Sequence, residues 1–213
     1  MNSELEILCN ELSRFVVGTE GNVSMKSDKG FWIKASGRSF RDPSFVECNP
    51  LGHPLRDYEK PSMEVGFHSA IYWHSNNTVI AHTHPVNTLK ILCSDRIDEF
   101  AKNRLFPDHV VFNGRESCII PYMTPGYNLA TVITNKIIDI GGCPGLFLLQ
   151  NHGIICCAKS VQQAITMTEI CEKAAEVFLS SIKLKFLTSF EIDDIIHNED
   201  ERYRWRATHD HSR

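Results

Sequence analysis

The chain lacks the long apolar runs that a membrane-spanning helix requires. Such a helix needs about 20 consecutive apolar residues. The longest runs in these 213 residues, "GLFLLQ" and "GIICCA", have the length of buried strands. The N-terminal "MNSELEILCNEL" also lacks the basic start and the cleavage site of a secretory signal. These absences predict a cytoplasmic protein without a membrane partner.

An excess of positive charge is also missing. The 22 lysines and arginines are outnumbered by 26 acidic residues, which gives a formal net charge of −4. Nucleic-acid-binding domains usually carry a clustered basic surface, so the composition predicts no nucleic-acid partner. The basic residues near the C-terminus, Arg202, Arg204 and Arg206, alternate with acids and aromatics. This mixture is typical of a solvated or intersubunit surface.

Cysteines are numerous, but they lack the spacing of a structural framework. No two of the eight form a CxxC pair, and most lie in apolar runs. A disulfide scaffold or a cysteine zinc site is therefore disfavoured, and we expect reduced, mostly buried thiols. They are Cys9, Cys48, Cys93, Cys118, Cys143, Cys156, Cys157 and Cys171.

The apolar periodicity predicts an α/β chain without the regular βαβ alternation of a doubly wound sheet. Consecutive strands without intervening helices favour a mainly antiparallel sheet with helices packed on its faces. The dinucleotide fingerprint GxGxxG is absent as well. Helices are predicted over residues 3–16, 61–75 (with Ser62 as N-cap), 85–103, 124–141, 160–187 and 189–203. Strands are predicted over 23–27, 31–35, 44–50, 53–58, 78–84, 110–113, 117–122, 145–151 and 153–158.

Two histidines close the strand "VIAHTHP". Side chains at i and i+2 of a strand point to the same face, so His82 and His84 could share one metal ion. An ordinary polar strand end is the alternative explanation, and HxH alone does not decide between them. A second such pair, His209 and His211, lies in a polar tail and carries little weight.

Two further residues strengthen the metal interpretation. His152 lies at the predicted bend "NHG" between two apolar strands, where Gly153 would allow close approach of the backbone. Glu64 falls in the first turn of a predicted helix, where an acid would also favour the helix dipole by about 0.3–1 kcal/mol. His68, one helical turn later, fits a supporting or packing role. Three imidazoles and a carboxylate would form a catalytic-type site if one metal position stays open.

Six stretches in order resemble the class II aldolase/adducin superfamily, in particular its zinc-dependent fuculose-phosphate and rhamnulose-phosphate aldolases. They are "GTEGNVS", "KASG", "PSMEVGFHSAIY", "VIAHTHP", "PYMTPGYNLA" and "LLQNHGII", and they span roughly residues 18–158. The resemblance implies one αβα three-layer domain over residues 1–213, with a mainly antiparallel central sheet. It also implies a homotetramer with active sites between neighbouring subunits.

The resemblance further implies roles for particular residues. His82, His84 and His152 would bind Zn²⁺, or another divalent cation such as Mn²⁺, and Glu64 would be the acid/base. Small polar groups of turns would bind the substrate phosphate, which suits an anion nest of N–H groups and hydroxyls. These are Thr19, Gly21, Asn22, Ser36, Gly37 and Ser62.

The sequence departs from the aldolases in front of the acid/base residue. They usually have two serines there, whereas this chain has Ser62 followed by Met63, which puts the identity of the phosphorylated substrate in doubt. Tyrosines assist protonation in the family, and Tyr203 is the candidate here, with Tyr122 and Tyr127 as alternatives.

The function implied is that of an aldolase-type lyase that cleaves or forms a C–C bond in a phosphorylated sugar through a zinc-stabilised enediolate. A 4-epimerase or a 3-oxo sugar-acid phosphate decarboxylase of the same superfamily remains an alternative, because these reactions share the metal and the enolate. An adducin-like interaction module without catalysis is a remoter alternative.

Overall fold

The computed structural model describes residues 2–207, and seven strands of this region form one sheet. The strands are β1 (Asn22–Ser27), β2 (Gly30–Lys34), β3 (Phe45–Cys48), β4 (Val79–Thr83), β5 (Cys118–Ile120), β6 (Leu146–Leu149) and β7 (Gly153–Ala158). Their order is β3-β2-β1-β4-β7-β6-β5. Only the β5–β6 pair is parallel among these described strands. The expected mainly antiparallel sheet is confirmed.

Helices cover both faces of the sheet, which confirms the three-layer architecture. They are α1 (Asn2–Leu12), α2 (Val65–Trp73), α3 (Val86–Leu92), α4 (Ile97–Lys102), α5 (Pro107–Asn113), α6 (Tyr127–Asp139), α7 (Val161–Phe178), α8 (Ser189–His197) and α9 (Glu199–Ala207). Helices α2 and α6 pack together in the core of one face. Helices α1, α3, α4 and α7 supply the core of the other. No helix in this described region is long and apolar enough to span a membrane.

The alternation of side chains along β4 decides where the site forms. Val79 and Ala81 belong to the core beneath α1 and α7, whereas Ile80 belongs to the core beneath α2. Because strand side chains alternate, His82 points to the α2 face as well. It contacts Phe67 of α2 edge-on, with ring centroids 5.7 Å apart.

Two predicted strands are wrong. Residues 110–113 form the end of helix α5, which begins at Pro107. A short apolar run does not distinguish a strand from a buried helix, and proline at the first helical position favours the helix. Residues 53–58 form no strand, and only Pro54 makes an isolated bridge, to Cys48.

Several predicted helices differ in extent from those of the structure. The segment 85–103 is broken between α3 and α4, where Ser94 Oγ donates to the Ile91 carbonyl and accepts from the Arg96 amide. Such local bonds compete with the helical ladder. The predicted helix 160–187 ends at Phe178. The predicted helix 189–203 is interrupted at Asn198.

The sequence predicts Ser62 as the N-cap of α2, and this prediction is wrong. The helix begins at Val65 with Glu64 as N-cap, and Ser62 Oγ accepts from the Glu64 amide at 3.3 Å. The cysteine expectation holds, since all eight are free and five are buried.

Candidate metal centre

Three histidines from separate parts of the chain meet at the end of β4. His82 lies in β4, His84 two residues later, and His152 in the turn between β6 and β7. The Nε2 atoms of His82 and His84 lie 3.1 Å apart. One ligand nitrogen from each histidine lies within 4.8 Å of the others. The structure thus brings together the three residues that the sequence nominated.

The turn that carries His152 depends on its neighbours. Asn151 adopts a left-handed conformation with φ of 55°, which asparagine tolerates better than most residues. A Cβ atom on Gly153 would lie 2.5 Å from both the Thr83 carbonyl oxygen and His84 Cδ2. Glycine therefore allows β7 to start directly against the His82–His84 segment, as the sequence predicted for this position.

Contacts at Nδ1 orient two of the imidazoles, those of His82 and His84. His82 Nδ1 donates to the Ile154 carbonyl at 2.8 Å, and His84 Nδ1 lies 3.5 Å from Glu20 Oε2. In this orientation the two Nε2 atoms face each other, and two neutral imidazoles would oppose their lone pairs there. A cation or a proton must lie between them. The three imidazole nitrogens lie close enough together to share one divalent metal, although the arrangement does not select one metal.

Glu64 completes the cluster from the start of α2 and is almost fully buried, with 6% of its surface exposed. Its Oε2 accepts from Asn22 Nδ2 at 2.9 Å and lies 3.2 Å from His82 Nε2. Its Oε1 lies 3.5 Å from His152 Nε2 and accepts no hydrogen bond within residues 2–207. Burial opposes ionisation, but nearby His82 outweighs it and lowers the pKa of Glu64 to about 2. The group is therefore a carboxylate at neutral pH.

The histidines respond differently to the same surroundings. Burial, reinforced by the adjacent His82, lowers the pKa of His84 to about 3 and that of His152 to about 4. At His82 burial also opposes protonation, but the Glu64 carboxylate raises its pKa. Two of the three imidazoles are thus neutral at pH 7, the form that binds metal.

A buried lysine that the sequence analysis missed connects the turns predicted to bind phosphate. Lys34 is 2% exposed, and its Nζ donates to the carbonyls of Thr19 at 3.5 Å and Ala35 at 3.4 Å, and also to that of Arg38. The Ser62 amide donates to the Lys34 carbonyl at 3.1 Å. One ammonium therefore lies between the turn before β1 and the Ser36–Gly37 turn after β2. A lysine in the apolar stretch "FWIKA" was the available signal.

Gly21 and Asn22, both predicted to bind phosphate, have other contacts in the structure. Gly21 has φ of +64°, and a Cβ there would lie 2.6 Å from the His82 carbonyl, so glycine is needed for close packing on β4. The Asn22 side chain bonds to Glu64 and His68. The role of both residues in phosphate binding stays a prediction.

The candidate tyrosines lie on the surface of the single chain. Tyr203 on α9 is 72% exposed, and α9 packs mainly on α5 and α8. Tyr127 is 84% exposed and follows Gly126, where a Cβ would lie 3.6 Å from the carbonyl of Met63, next to Glu64 in the chain. Tyr122 is also exposed. The pair His209 and His211 lies outside the described residues.

Comparison with known proteins assigns the class. Residues 9–179 match the family described as Class II Aldolase and Adducin N-terminal domain, and the chain belongs to that family. With its three-histidine site, it is a metal-dependent enzyme of the class II aldolase superfamily.

Individual relatives differ in the activities assigned to them. The chain is 28% identical over 188 residues to a 3-oxo-tetronate 4-phosphate decarboxylase of Haemophilus influenzae, across 85% of this chain and 88% of the relative. It is 24% identical over 184 residues to an L-fuculose phosphate aldolase of Methanocaldococcus jannaschii, across 84% and 95%. The fold matches YgbL of Klebsiella pneumoniae, assigned only to the set aldolase/epimerase/decarboxylase, with a TM-score of 0.79 and 24% identity over 91% and 96%.

Proposed function

We propose that the chain is a metal-dependent decarboxylase of a phosphorylated 3-oxo sugar acid. The observation that carries this proposal is the buried Glu64 carboxylate beside the cluster of three imidazole nitrogens; its Oε1 accepts no hydrogen bond from residues 2–207. We prefer decarboxylation to aldol cleavage because of the relatives' identities to this chain. Four decarboxylases of 3-oxo-tetronate 4-phosphate are 26–29% identical to the chain, against 24–25% for three L-fuculose phosphate aldolases.

His82, His84 and His152 would hold the metal ion. A bound divalent ion supplies a Lewis acid that stabilises negative charge on a ketone oxygen of the substrate. The protein's part is to keep the imidazoles of His84 and His152 neutral and to orient the ring of His82. Burial keeps the pKa values of His84 and His152 low, and the Ile154 carbonyl fixes the ring of His82.

Glu64 would handle the proton. When the carboxylate of a 3-oxo acid leaves as CO₂, its bonding electron pair stays on the neighbouring carbon, and that carbon must then gain one proton. Glu64 Oε1 takes a proton from solvent and passes it to this carbon, while Oε2 stays held by Asn22.

The phosphate would lie over the two turns that Lys34 connects. Thr19, Ser36, Gly37 and Ser62 supply hydroxyls and backbone N–H groups there, and the buried Lys34 ammonium adds positive charge beneath them. Asn22 Nδ2 carries a second N–H besides the one that Glu64 accepts, so it can donate to the phosphate as well.

Aldol cleavage of a ketose phosphate is the second candidate. It uses the same histidines and the same carboxylate, and the aldolase of Methanocaldococcus jannaschii matches 84% of the chain. Met63 disfavours aldol cleavage. The sugar-phosphate aldolases that the sequence resembles usually have a second serine at this position. The exposed Met63 side chain offers no hydroxyl or N–H to an anion.

Parallel assays separate the candidates. Protein loaded with Zn²⁺ or Mn²⁺ is given 3-oxo-tetronate 4-phosphate, L-fuculose 1-phosphate or a pentulose 5-phosphate, and CO₂, aldehyde and epimer are measured. Because 3-oxo acids lose CO₂ spontaneously, chelated protein and the Glu64→Gln variant set the background. We expect CO₂ above background with the first substrate. Aldehyde from the second substrate without enzyme-dependent CO₂ would favour the aldolase instead.

We also propose the homotetramer with shared sites, with Tyr203 acting in a neighbouring subunit. Its support is the exposure of Tyr203 and the packing of α9 against α5 and α8 of its own chain. Light scattering coupled to size-exclusion chromatography should give the mass of four chains per particle. If Tyr203→Phe leaves the particle intact and kcat unchanged, the role of Tyr203 is wrong.

A further inference from the structure

A line of buried polar side chains runs from Glu64 into the core between β1 and α2. Asn22 and Ser24 lie on the same face of β1, and His68 and Tyr72 lie one and two helical turns beyond Glu64. All four side chains are buried, and His68 and Ser24 are fully inaccessible to solvent. Buried polar groups of this kind are costly unless paired, so their pairing pattern is informative.

The contacts connect the line without a break. Glu64 Oε2 accepts from Asn22 Nδ2 at 2.9 Å, and Asn22 Oδ1 bonds His68 Nε2. On the other side of the ring, His68 Nδ1 lies 2.6 Å from Ser24 Oγ, and this hydroxyl lies 2.7 Å from the Tyr72 hydroxyl.

The bond from Asn22 Nδ2 to Glu64 Oε2 fixes the direction of the other bonds. With its NH₂ group turned to Glu64, Asn22 turns its oxygen to His68. His68 must then carry its proton on Nε2, which leaves Nδ1 to accept from the Ser24 hydroxyl. The Ser24 oxygen in turn accepts from Tyr72, whose single proton goes to Ser24 at 2.7 Å rather than to the Thr78 carbonyl at 3.4 Å.

We propose that His68 is a positioning residue for catalysis: as the neutral Nε2–H tautomer it fixes the amide of Asn22, which holds Glu64 Oε2 and leaves Oε1 as the oxygen that moves protons. Without the donor on His68, Asn22 could rotate its amide and present its oxygen to Glu64, which would repel the carboxylate. The step in which Oε1 acts rests on the proposed function.

Packing supports the neutral ring. His68 stacks on Phe67 with centroids 4.5 Å apart and an interplanar angle of 19°. Burial, with a smaller contribution from His82, lowers the pKa of His68 to about 3. The ring therefore stays neutral throughout the pH range in which an enzyme would be assayed.

Nuclear magnetic resonance tests the tautomer directly and does not depend on catalysis. The protein is labelled with ¹⁵N in histidine and loaded with Zn²⁺, and the His68 ring is assigned by its loss in His68→Gln. The expected spectrum has a protonated Nε2 and an unprotonated Nδ1, unchanged between pH 8 and pH 5. A proton on Nδ1 would reverse the line of bonds and overturn the proposal. If no CO₂ release is found, the proposed function fails, yet this spectrum still decides the tautomer.

Kinetics test the consequence. His68→Leu removes the donor, whereas His68→Gln keeps an N–H that can reach Asn22. We expect His68→Leu to lower kcat about 10–100-fold, with KM and metal content unchanged and the acidic limb of the kcat profile moved to higher pH. His68→Gln should recover most of the loss. Equal losses in both variants, with an unmoved pH profile, would show that His68 only packs the core and would overturn the inference.

Discussion

Two buried histidines of this chain differ in their surroundings. His68 and His109 are both fully inaccessible to solvent. Both ring nitrogens of His68 are hydrogen-bonded, to Asn22 and to Ser24. Neither nitrogen of His109, on α5, has a hydrogen-bond partner within the described part of the chain. Its ring lies near Phe100 and Phe106, with centroid distances of 5.7 and 5.6 Å.

The difference separates two reasons for a polar group in a core. The bonds of His68 lead through Asn22 to Glu64, so its polarity organises the site. His109 has aromatic neighbours and the nearby cation of Arg104, which itself donates to carbonyls such as that of Gly114 at 2.6 Å. Its polarity contributes to no site described here. We expect the first histidine to stabilise the fold and the second to cost stability.

The largest effect should come from the end of the line of bonds. Glu64→Gln keeps the shape and the contact with Asn22 but removes the charge and the basic oxygen. We expect kcat to fall about 10²–10⁴-fold while the metal content stays the same, as measured by turnover assays and elemental analysis. Full activity in this variant would show that another group moves the proton.

Replacing each histidine with leucine should change stability in opposite directions. His68→Leu leaves Asn22 Oδ1 without its donor and the Ser24 hydroxyl proton without its acceptor, at about 1–3 kcal/mol each, so unfolding in urea should require about 2–6 kcal/mol less. His109→Leu removes a side chain whose two ring nitrogens bond to no described residue and should stabilise by about 1 kcal/mol. Comparable losses in both variants would remove the distinction between the two sites.

The pH dependence of stability offers a finer test of His109. Burial, aided by the charge of Arg104, lowers its pKa well below 6.5. Above pH 6.5 both folded and unfolded states hold the ring neutral. Below it the unfolded state binds a proton that the folded state does not, so stability falls by about 1.4 kcal/mol per pH unit. His109→Leu should remove this part of the slope between pH 6.5 and pH 5.

A matched control keeps that test specific. His53 is an exposed histidine, and His53→Ala removes one imidazole without touching the core. Its urea denaturation should follow the pH dependence of the original chain. If His109→Leu has the same slope as His53→Ala, His109 takes up protons in the folded state, and its assignment as a buried neutral ring is wrong.

The sequence predicted the histidines of the metal site better than the hydrogen bonds that hold Glu64 beside them. Strand alternation placed His82 and His84 on one side, and the "NHG" bend nominated His152, because both signals are local. The bond from Asn22 to Glu64 joins residues 42 positions apart and depends on the β1–β4 register, in which Asn22 pairs with His82. No local pattern encodes that register.

The errors in secondary structure have the same origin. "VVFN" at 110–113 is mostly apolar and begins with two β-branched valines, yet it completes α5, the helix that packs against α7 and α8. Lys34 continues an apolar strand and is buried only because three carbonyls gather around its ammonium. Tertiary packing decided both the helix at 110–113 and the burial of Lys34, and the neighbouring residues in the sequence do not indicate that packing.

The count of bound metal per chain tests the central claim most directly. The purified protein and its His84→Ala variant are saturated separately with Zn²⁺ and Mn²⁺, dialysed, and analysed for metal and protein. A site of three imidazoles predicts about one ion per chain in the original protein and far less in His84→Ala. No bound metal in the original protein, or equal amounts in the two, would contradict the assignment of His82, His84 and His152 as the metal centre.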